Sequence, residues 1–446
     1  VLLGSGVIVA AALTWVLPAG EFDRRDDPAT GRRVVVAGTY HAVDPAPLGP
    51  FDTAVAIPRG FVAAAEVVGV ILFVGGAWVI VDRLGTLAVV VGALVRAFDG
   101  RGLWLIPVVS LFFATMGALE NMQEEIIPLV PALLLLGSAL RIDAVAVVAM
   151  SAGAAMVGSA FGPTNPFQAG IALRLAEVPP LSGAGLRLTM FAVGVGLWIG
   201  WTLWHVRTST SRGSGGSRGS EGSGGSGGSS GSQGSSGSET RRHLLIFALV
   251  LSPMAAYVYG AFRLGWGFNE LSAAFVIGGL AAGIVGGFGV TRSVTVFLEG
   301  MEELLPAALM VGVARSISIV LEDGRVIDTI LSALVSPLSD ATPLTAGLLM
   351  IPFQALIHIA VPSVSGQAVL TMPLFVPMAD VLGLSRQVPV LAYQTGAGLM
   401  ELLTPTNGSL MAILLAAGVP YQQWLRFASG GTLLLVAVGI ASLMAV

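Results

Sequence analysis

The chain has no cysteine, and none of its 22 basic residues is a lysine. The first absence excludes disulfides, thiolate nucleophiles and cysteine-ligated metals. The second excludes Schiff-base chemistry and a lysine general base. Charge of either sign is scarce: charged residues make up 11% of the chain, against about 25% in an average soluble domain. A net charge of −4 offers no basic surface to a nucleic acid. The four histidines, at 41, 205, 243 and 358, are scattered. They form neither a nucleophile–base pair nor a metal-ligand set, so a membrane-embedded enzyme is disfavoured.

Apolar residues take up the space that charge leaves, at 54% of the chain. Runs at 1–17, 61–80, 103–119, 188–204, 244–259, 271–288, 346–361 and 430–446 are each long enough to cross much or all of roughly 30 Å of hydrocarbon. A β-barrel would show alternating segments of about ten residues instead. The composition therefore predicts an all-α polytopic membrane protein. The first run, "VLLGSGVIVAAALTWVLPAG", lacks the basic flank of a signal sequence and is read as a first spanning helix.

Residues 207–242 are Gly/Ser-rich and almost free of apolar side chains, the composition of a flexible linker. They divide the chain into an N-terminal transmembrane repeat, 1–206, and a C-terminal one, 243–446. The linker's five Arg and two Glu lean towards a cytoplasmic location. Within the first repeat, 18–60 is a long polar loop in which "GRRVVVAGTY" reads as a short strand. Glu322, Asp323, Arg325 and Asp328 read as a second, solvated loop.

The repeats share a spacing. Pro163-Thr164-Asn165 recurs as Pro405-Thr406-Asn407, and Pro131 as Pro373, both 242 residues on. Internal duplication of this kind marks secondary transporters. Proline breaks a helix, and a broken helix is tolerated in hydrocarbon only where it is buried in protein or lines a wet cavity. The freed carbonyls, Thr hydroxyls and Asn amides suit a cation, and the restarting helix N-terminus suits a carboxylate. Before each tripeptide lies a polar tip joined to a proline-marked apolar run, 120–140 and 362–382, read as a re-entrant hairpin. Asn121, Glu124 and Glu125 mark the first tip; Ser363, Ser365 and Gly366 mark the second. These residues, with Pro163, Thr164, Asn165, Pro405, Thr406 and Asn407, form the predicted substrate and ion site. A coupling Na+ would take Thr164, Asn165, Thr406 and Asn407; H+ is the other choice of coupling ion. Glu401 lies one turn before Pro405 and faces either the site or a polar cavity. His358 is read as a packed, hydrogen-bonded side chain rather than a proton relay. Arg315 is expected to pair with Glu302, Glu303 or another acid.

These residues resemble the YfcC family of the DcuC-type (C4-dicarboxylate anaerobic carrier) transporters, within the ion transporter superfamily. The likeness runs through "WVLPAGEFDR", "FVGGAWVIVDRLGTL", "GVARSISIVLEDGRVIDTIL", "VPSVSGQAVLTMPLFVPMADVLGLSRQVPVLAYQTGAG" and "LTPTNGSLMAILLAAGVPYQQWLRF". It implies two inverted repeats, each with a re-entrant hairpin and a helix broken at Pro-Thr-Asn. It also implies a bacterial inner-membrane location, a small-molecule solute and lipid as partners, and a homodimer as one assembly. The function implied is secondary transport of a small carboxylated metabolite by symport or exchange. An amino acid, including basic amino acid exchange, is the first choice and a C4-dicarboxylate the second. The family often has Gly-Asp-Gly where this chain has Gly396-Ala397-Gly398, a departure that removes a carboxylate.

Overall fold

The computed structural model describes residues 2–27, 32–86, 89, 102–163, 165, 167–179, 182–213, 237–264, 266–338 and 341–446. Helix α1 (Leu2–Val16) leads into the polar loop, where β1 (Gly20–Glu21) pairs antiparallel with β4 (His41–Ala42), and β2 (Arg24–Asp27) with β3 (Arg32–Val35). The expected strand in "GRRVVVAGTY" is β3. Then come α2 (Pro50–Ala63), α3 (Ala65–Arg83), α4 (Leu105–Glu120), α5 (Val130–Leu140), α6 (Ala144–Phe161), α7 (Ala169–Leu175) and α8 (Ala184–Gly213). The second half holds α9 (Gly237–Leu264), α10 (Phe268–Val285), α11 (Gly289–Asp323), α12 (Ile327–Val335), α13 (Pro343–Ala360), α14 (Val364–Val381), α15 (Gln387–Met400), α16 (Gly408–Ala416) and α17 (Tyr421–Leu443). Among the described residues, eight helices are long and apolar enough to cross a membrane. Large apolar side chains such as Ile277, Leu298 and Leu433 stand exposed on them, as lipid-facing surfaces require. The protein is an integral membrane protein.

Two helices form the centre. Every residue of α6 from Val145 to Phe161 is buried, and so is every residue of α15 from Val388 to Leu399. They pack against each other. Small residues make this possible. A Cβ on Gly158 would lie 1.9 Å from the Ala114 carbonyl oxygen, and one on Gly117 would lie 2.0 Å from that of Ala155, so α4 and α6 touch backbone to backbone. Gly396 and Gly398 do the same for α15, against Ile351 O and Ala160. Ala397 between them is fully buried in an apolar cluster with Ile171, Leu173 and Val390. An aspartate there would face that apolar cluster. Inside α6, Ala149–Gly153 form a π-helical turn, a wide turn that often accompanies functional sites.

Several expectations take a more definite form. Helix α8 runs on to Gly213 and α9 starts at Gly237, so both ends of the 207–242 stretch are helical; 214–236 lie outside the described residues. Asp328 is not solvated. It is buried in α12 and accepts from Phe22 N and from Arg24, each at 2.9 Å. The sequence reading missed this because the partners lie some 300 residues away (304 and 306). Arg315 pairs with Glu322 at 3.8 Å, on its own helix. The two tip segments differ in form. After Asn121 the chain makes a 3₁₀ stretch, Glu124–Leu129, and then the short α5. After Ser363 it makes the single continuous α14, with Pro373 and Pro377 inside.

Candidate functional site

Both Pro-Thr-Asn stretches interrupt a helix. In the first, α6 ends at Phe161 and Gly162 turns extended (φ −61°, ψ 127°) ahead of Pro163. Pro163 is partly exposed; Thr164, a predicted site residue and Na+ ligand, lies outside the described residues. Asn165 is fully buried. Its Nδ2 donates to Gly117 O at 3.2 Å, Asn121 Oδ1 at 3.2 Å and Ser159 Oγ at 2.9 Å. Its Oδ1 accepts from Phe167 N and Gln168 N. The helix does not restart directly after Asn165 as expected: α7 begins at Ala169 and has only 7 residues. Asn165 instead closes a local turn ahead of it, its Oδ1 accepting from two following N–H groups.

In the second stretch, α15 ends at Met400 and the chain turns through Glu401 to Thr404. Pro405 is partly exposed, and Asn407 caps α16 by accepting from Leu410 N at 3.2 Å. Thr406 Oγ1 donates to Ile359 O at 2.9 Å. Asn407 Nδ2 donates to the Glu401 carboxylate and to Gln123 Oε1 at 3.4 Å. The bonding pattern repeats at the 242 spacing. In each copy the Asn oxygen accepts from the N–H three residues on, and its Nδ2 donates to the side chain six residues back, Ser159 or Glu401.

The first tip joins the two breaks. Asn121 sits in the left-handed region (φ 59°) at the end of α4 and accepts from Ser159 and Asn165. Two residues on, Gln123 reaches Asn407. Glu124 accepts from Ser409 Oγ at 2.9 Å, and Glu125 accepts from Gln123 N at 3.1 Å. Asn121, Glu124, Glu125, Asn165, Thr406 and Asn407 are thus brought together. Ser363, Ser365 and Gly366 are not. Ser363 caps α14 by accepting from Gly366 N, and none of the three bonds to either Asn. The second tip reaches the site by another residue. Gln367 Oε1 is 2.8 Å from His358 Nδ1, and His358 Nε2 is 2.9 Å from Glu401 Oε1. That last contact has ion-pair distance but lies off the line of a good hydrogen bond. Gln367 Nε2 is in turn 2.7 Å from both oxygens of Gln354.

The sequence reading missed Gln168, Gln354, Gln394 and Arg187. Gln168 is fully buried beside Asn165, and its Nε2 has no partner among the described residues. Buried Arg187 on α8 donates to Gln394 Oε1 at 2.6 Å, Gln387 Oε1 at 2.7 Å and Ser182 O. Gln394 Nε2 then donates to Ala160 O at 3.0 Å, at the first break. An arginine at the edge of an apolar run was a readable signal; neutral glutamines carry none. A groove of about 530 Å³ between α3 and α10, lined by Glu66, Phe73 and Asn269 among others, contains none of these residues. Outside the membrane helices, Arg386 binds Asp380 and Glu177, whose carboxylates hold its guanidinium above the ordinary arginine range.

Comparison with known proteins gives a consistent family. The chain is 30% identical over 465 residues to "Putative basic amino acid antiporter YfcC" of Escherichia coli (strain K12), covering 96% of this chain and 91% of that one. It is 26% identical over 467 residues to an uncharacterised protein of Haemophilus influenzae, covering 94% and 91%. Among solved structures it is similar to the YdaH transporter of Alcanivorax borkumensis, with a TM-score of 0.40 and 16% identity, covering 99% and 96%. It is similar too to MtrF of Neisseria gonorrhoeae, with a TM-score of 0.41 and 13% identity, covering 99% and 93%. The family described as C4-dicarboxylate anaerobic carrier (DcuC) matches residues 2–446. The chain therefore belongs to the C4-dicarboxylate anaerobic carrier family and is a membrane transporter, not an enzyme.

Proposed function

We propose that the protein is a secondary active transporter that exchanges or symports an amino acid, held between the two Pro-Thr-Asn breaks. One observation carries the reading: Asn165 and Asn407, far apart in sequence, belong to one buried polar network through 121–123. In this reading the halves are inverted repeats; the first tip segment with its proline-marked run is a re-entrant pair, and its counterpart is the continuous α14. Solute entry then requires the two breaks to separate, as alternating access does.

Polarity across the network favours an amino acid over a C4-dicarboxylate. On the Asn165 side the free group is a donor, Gln168 Nε2, which suits a carboxylate. On the Asn407 side Glu124 and Glu401 gather acidic oxygens, which suit an ammonium. No arginine bonds to these groups among the described residues, so a second carboxylate finds no cation. The E. coli relative's name, a basic amino acid antiporter, points the same way; the family's name supports the dicarboxylate. Counterflow in proteoliposomes with L-arginine, L-alanine and succinate tests it. Arginine is expected to exchange and succinate to fail; the reverse result establishes the dicarboxylate reading. Asn165→Ala and Asn407→Ala, each expressed and folded, are expected to lose counterflow. Normal exchange in both variants removes the site assignment.

A further inference from the structure

His358 and Glu401 are buried, and each is tied to the solute network. The hydrogen bonds around them determine where their protons sit. Gln367 Nε2 faces two acceptors, the main-chain and side-chain oxygens of Gln354. Its Oε1 is therefore the atom that meets His358 Nδ1 at 2.8 Å, and Nδ1 must carry a hydrogen. Asn407 is oriented as firmly. Its Nδ2 faces only acceptors (Glu401 O, the Glu401 carboxylate and Gln123 Oε1), while its Oδ1 accepts from Leu410 N. With Nδ1 protonated, a neutral imidazole presents a lone pair at Nε2. That lone pair would lie 2.9 Å from Glu401 Oε1, off the line of a good hydrogen bond. Two acceptors at that distance in a buried site repel. A proton on either group turns the repulsion into an attraction.

We infer that the His358–Glu401 pair is the proton-binding site of the transport cycle, and that this proton is exchanged for the ammonium group of the solute. The inference rests on the amino acid reading above and names its coupling ion. Loss of the proton to water leaves a carboxylate and an imidazole lone pair side by side. A solute ammonium can donate to both and restore the same balance of charge. Proton and ammonium thus compete for one place, and each ammonium bound releases one proton. Competition of this kind gives antiport without a second ion site. Among the other ionisable groups, Glu124 accepts from Ser409 and its charge acts on Glu401. Glu125 accepts from Gln123 N, Arg315 on α11 pairs with Glu322, and Asp328 on α12 binds Arg24. Asn407 bonds Glu401, so release of the proton is felt directly at the cap of α16.

The test uses the purified full chain in detergent, in weakly buffered solution with a pH-sensitive dye. Addition of L-arginine is expected to release about one proton per arginine bound, as one-for-one linkage requires. His358→Gln and Glu401→Gln are expected to bind more weakly and release none per arginine bound. His41→Gln, on the exposed loop, is expected to release as much as the wild type. Undiminished release in both pair variants overturns the proposal. A second readout needs no solute. An infrared pH titration of the ligand-free protein is expected to show carboxyl and imidazole bands that titrate together and vanish in both variants. If no such bands are present, the pair carries no exchangeable proton and the proposal fails. A protein that binds succinate and not arginine sinks the amino acid reading alone, and the infrared result then decides the proton site by itself.

Discussion

Arg187 illustrates how one residue acts at a distance from the solute site. It is buried, and its three hydrogen-bond partners are uncharged. Through Gln394 it holds the carbonyl of Ala160, one of those exposed when Pro163 stops α6. An arginine spreads several donors over a planar fork, which a lysine's single ammonium cannot match. Arg187→Met strands the oxygens of Gln394 and Gln387 in apolar surroundings, at about 1–3 kcal/mol for each group left unpaired. The expected outcome is a clearly lower melting temperature in detergent, with Arg187→Lys intermediate; a wild-type melt for the Met variant contradicts this account. Legibility at this scale depended on residue type. Asn165 and Asn407 could be found because proline beside them announces a broken helix. Gln168, Gln354 and Gln394 could not, because glutamine is at home on many surfaces and its role is set by partners remote in sequence. Ser363 shows the converse: a short hydroxyl side chain at a tip looks like a ligand, and here it caps α14.

At the scale of helices, apolar length and proline position made most of the spans and both breaks readable in the sequence. The crossing of α4 and α6 was not, since glycines in one helix do not say which backbone they will meet. That crossing sets the distance from Asn121 to Ser159 and Asn165, and so shapes the first half of the site. Gly158→Ala would drive a methyl group into the Ala114 carbonyl, a backbone atom that cannot rotate away. The helices must separate, and the bonds of Asn165 to Gly117 and Asn121 lengthen with them. Gly196→Ala on α8 is the matched control, because a Cβ there meets nothing within 4 Å. The first variant is expected to lose both thermal stability and transport. The second is expected to be neutral, or to gain up to about 1 kcal/mol from the better helix propensity of alanine. Equal behaviour of the two variants would show that the close crossing does not matter. The form of α14 escaped the sequence for a related reason. Prolines in a membrane helix can be accommodated by neighbouring helices, so Pro373 and Pro377 pointed to a reversal where the chain runs straight on.

The two halves of the molecule are built into each other. Helices α1, α2 and α3 from the first half pack along α11 of the second, and α6 packs against α15. The polar loop of the first half is fastened to the second: Asp328 holds Arg24 and Phe22 N, Tyr40 Oη meets Thr329 Oγ1 at 3.0 Å, and Gly20 N donates to Arg325 O. Arg386 adds a bond from the second half back to Glu177. Most of this was hidden from the sequence, where loop charges look solvated unless their distant partners are known. It bears on what the Gly/Ser stretch does. If the halves recognise each other through buried helices, the covalent connection contributes proximity more than structure, by raising one half's effective concentration near the other. Separate chains 1–213 and 237–446, expressed together in one membrane, are then expected to co-purify and to restore counterflow. Asp328→Ala in the second chain removes the acceptor for Arg24 and Phe22 N and should weaken the association, which pull-down yields measure directly. Failure of the unsubstituted pair to associate, with each chain inserted in the membrane, would mean that the helix contacts form only when the halves are tethered.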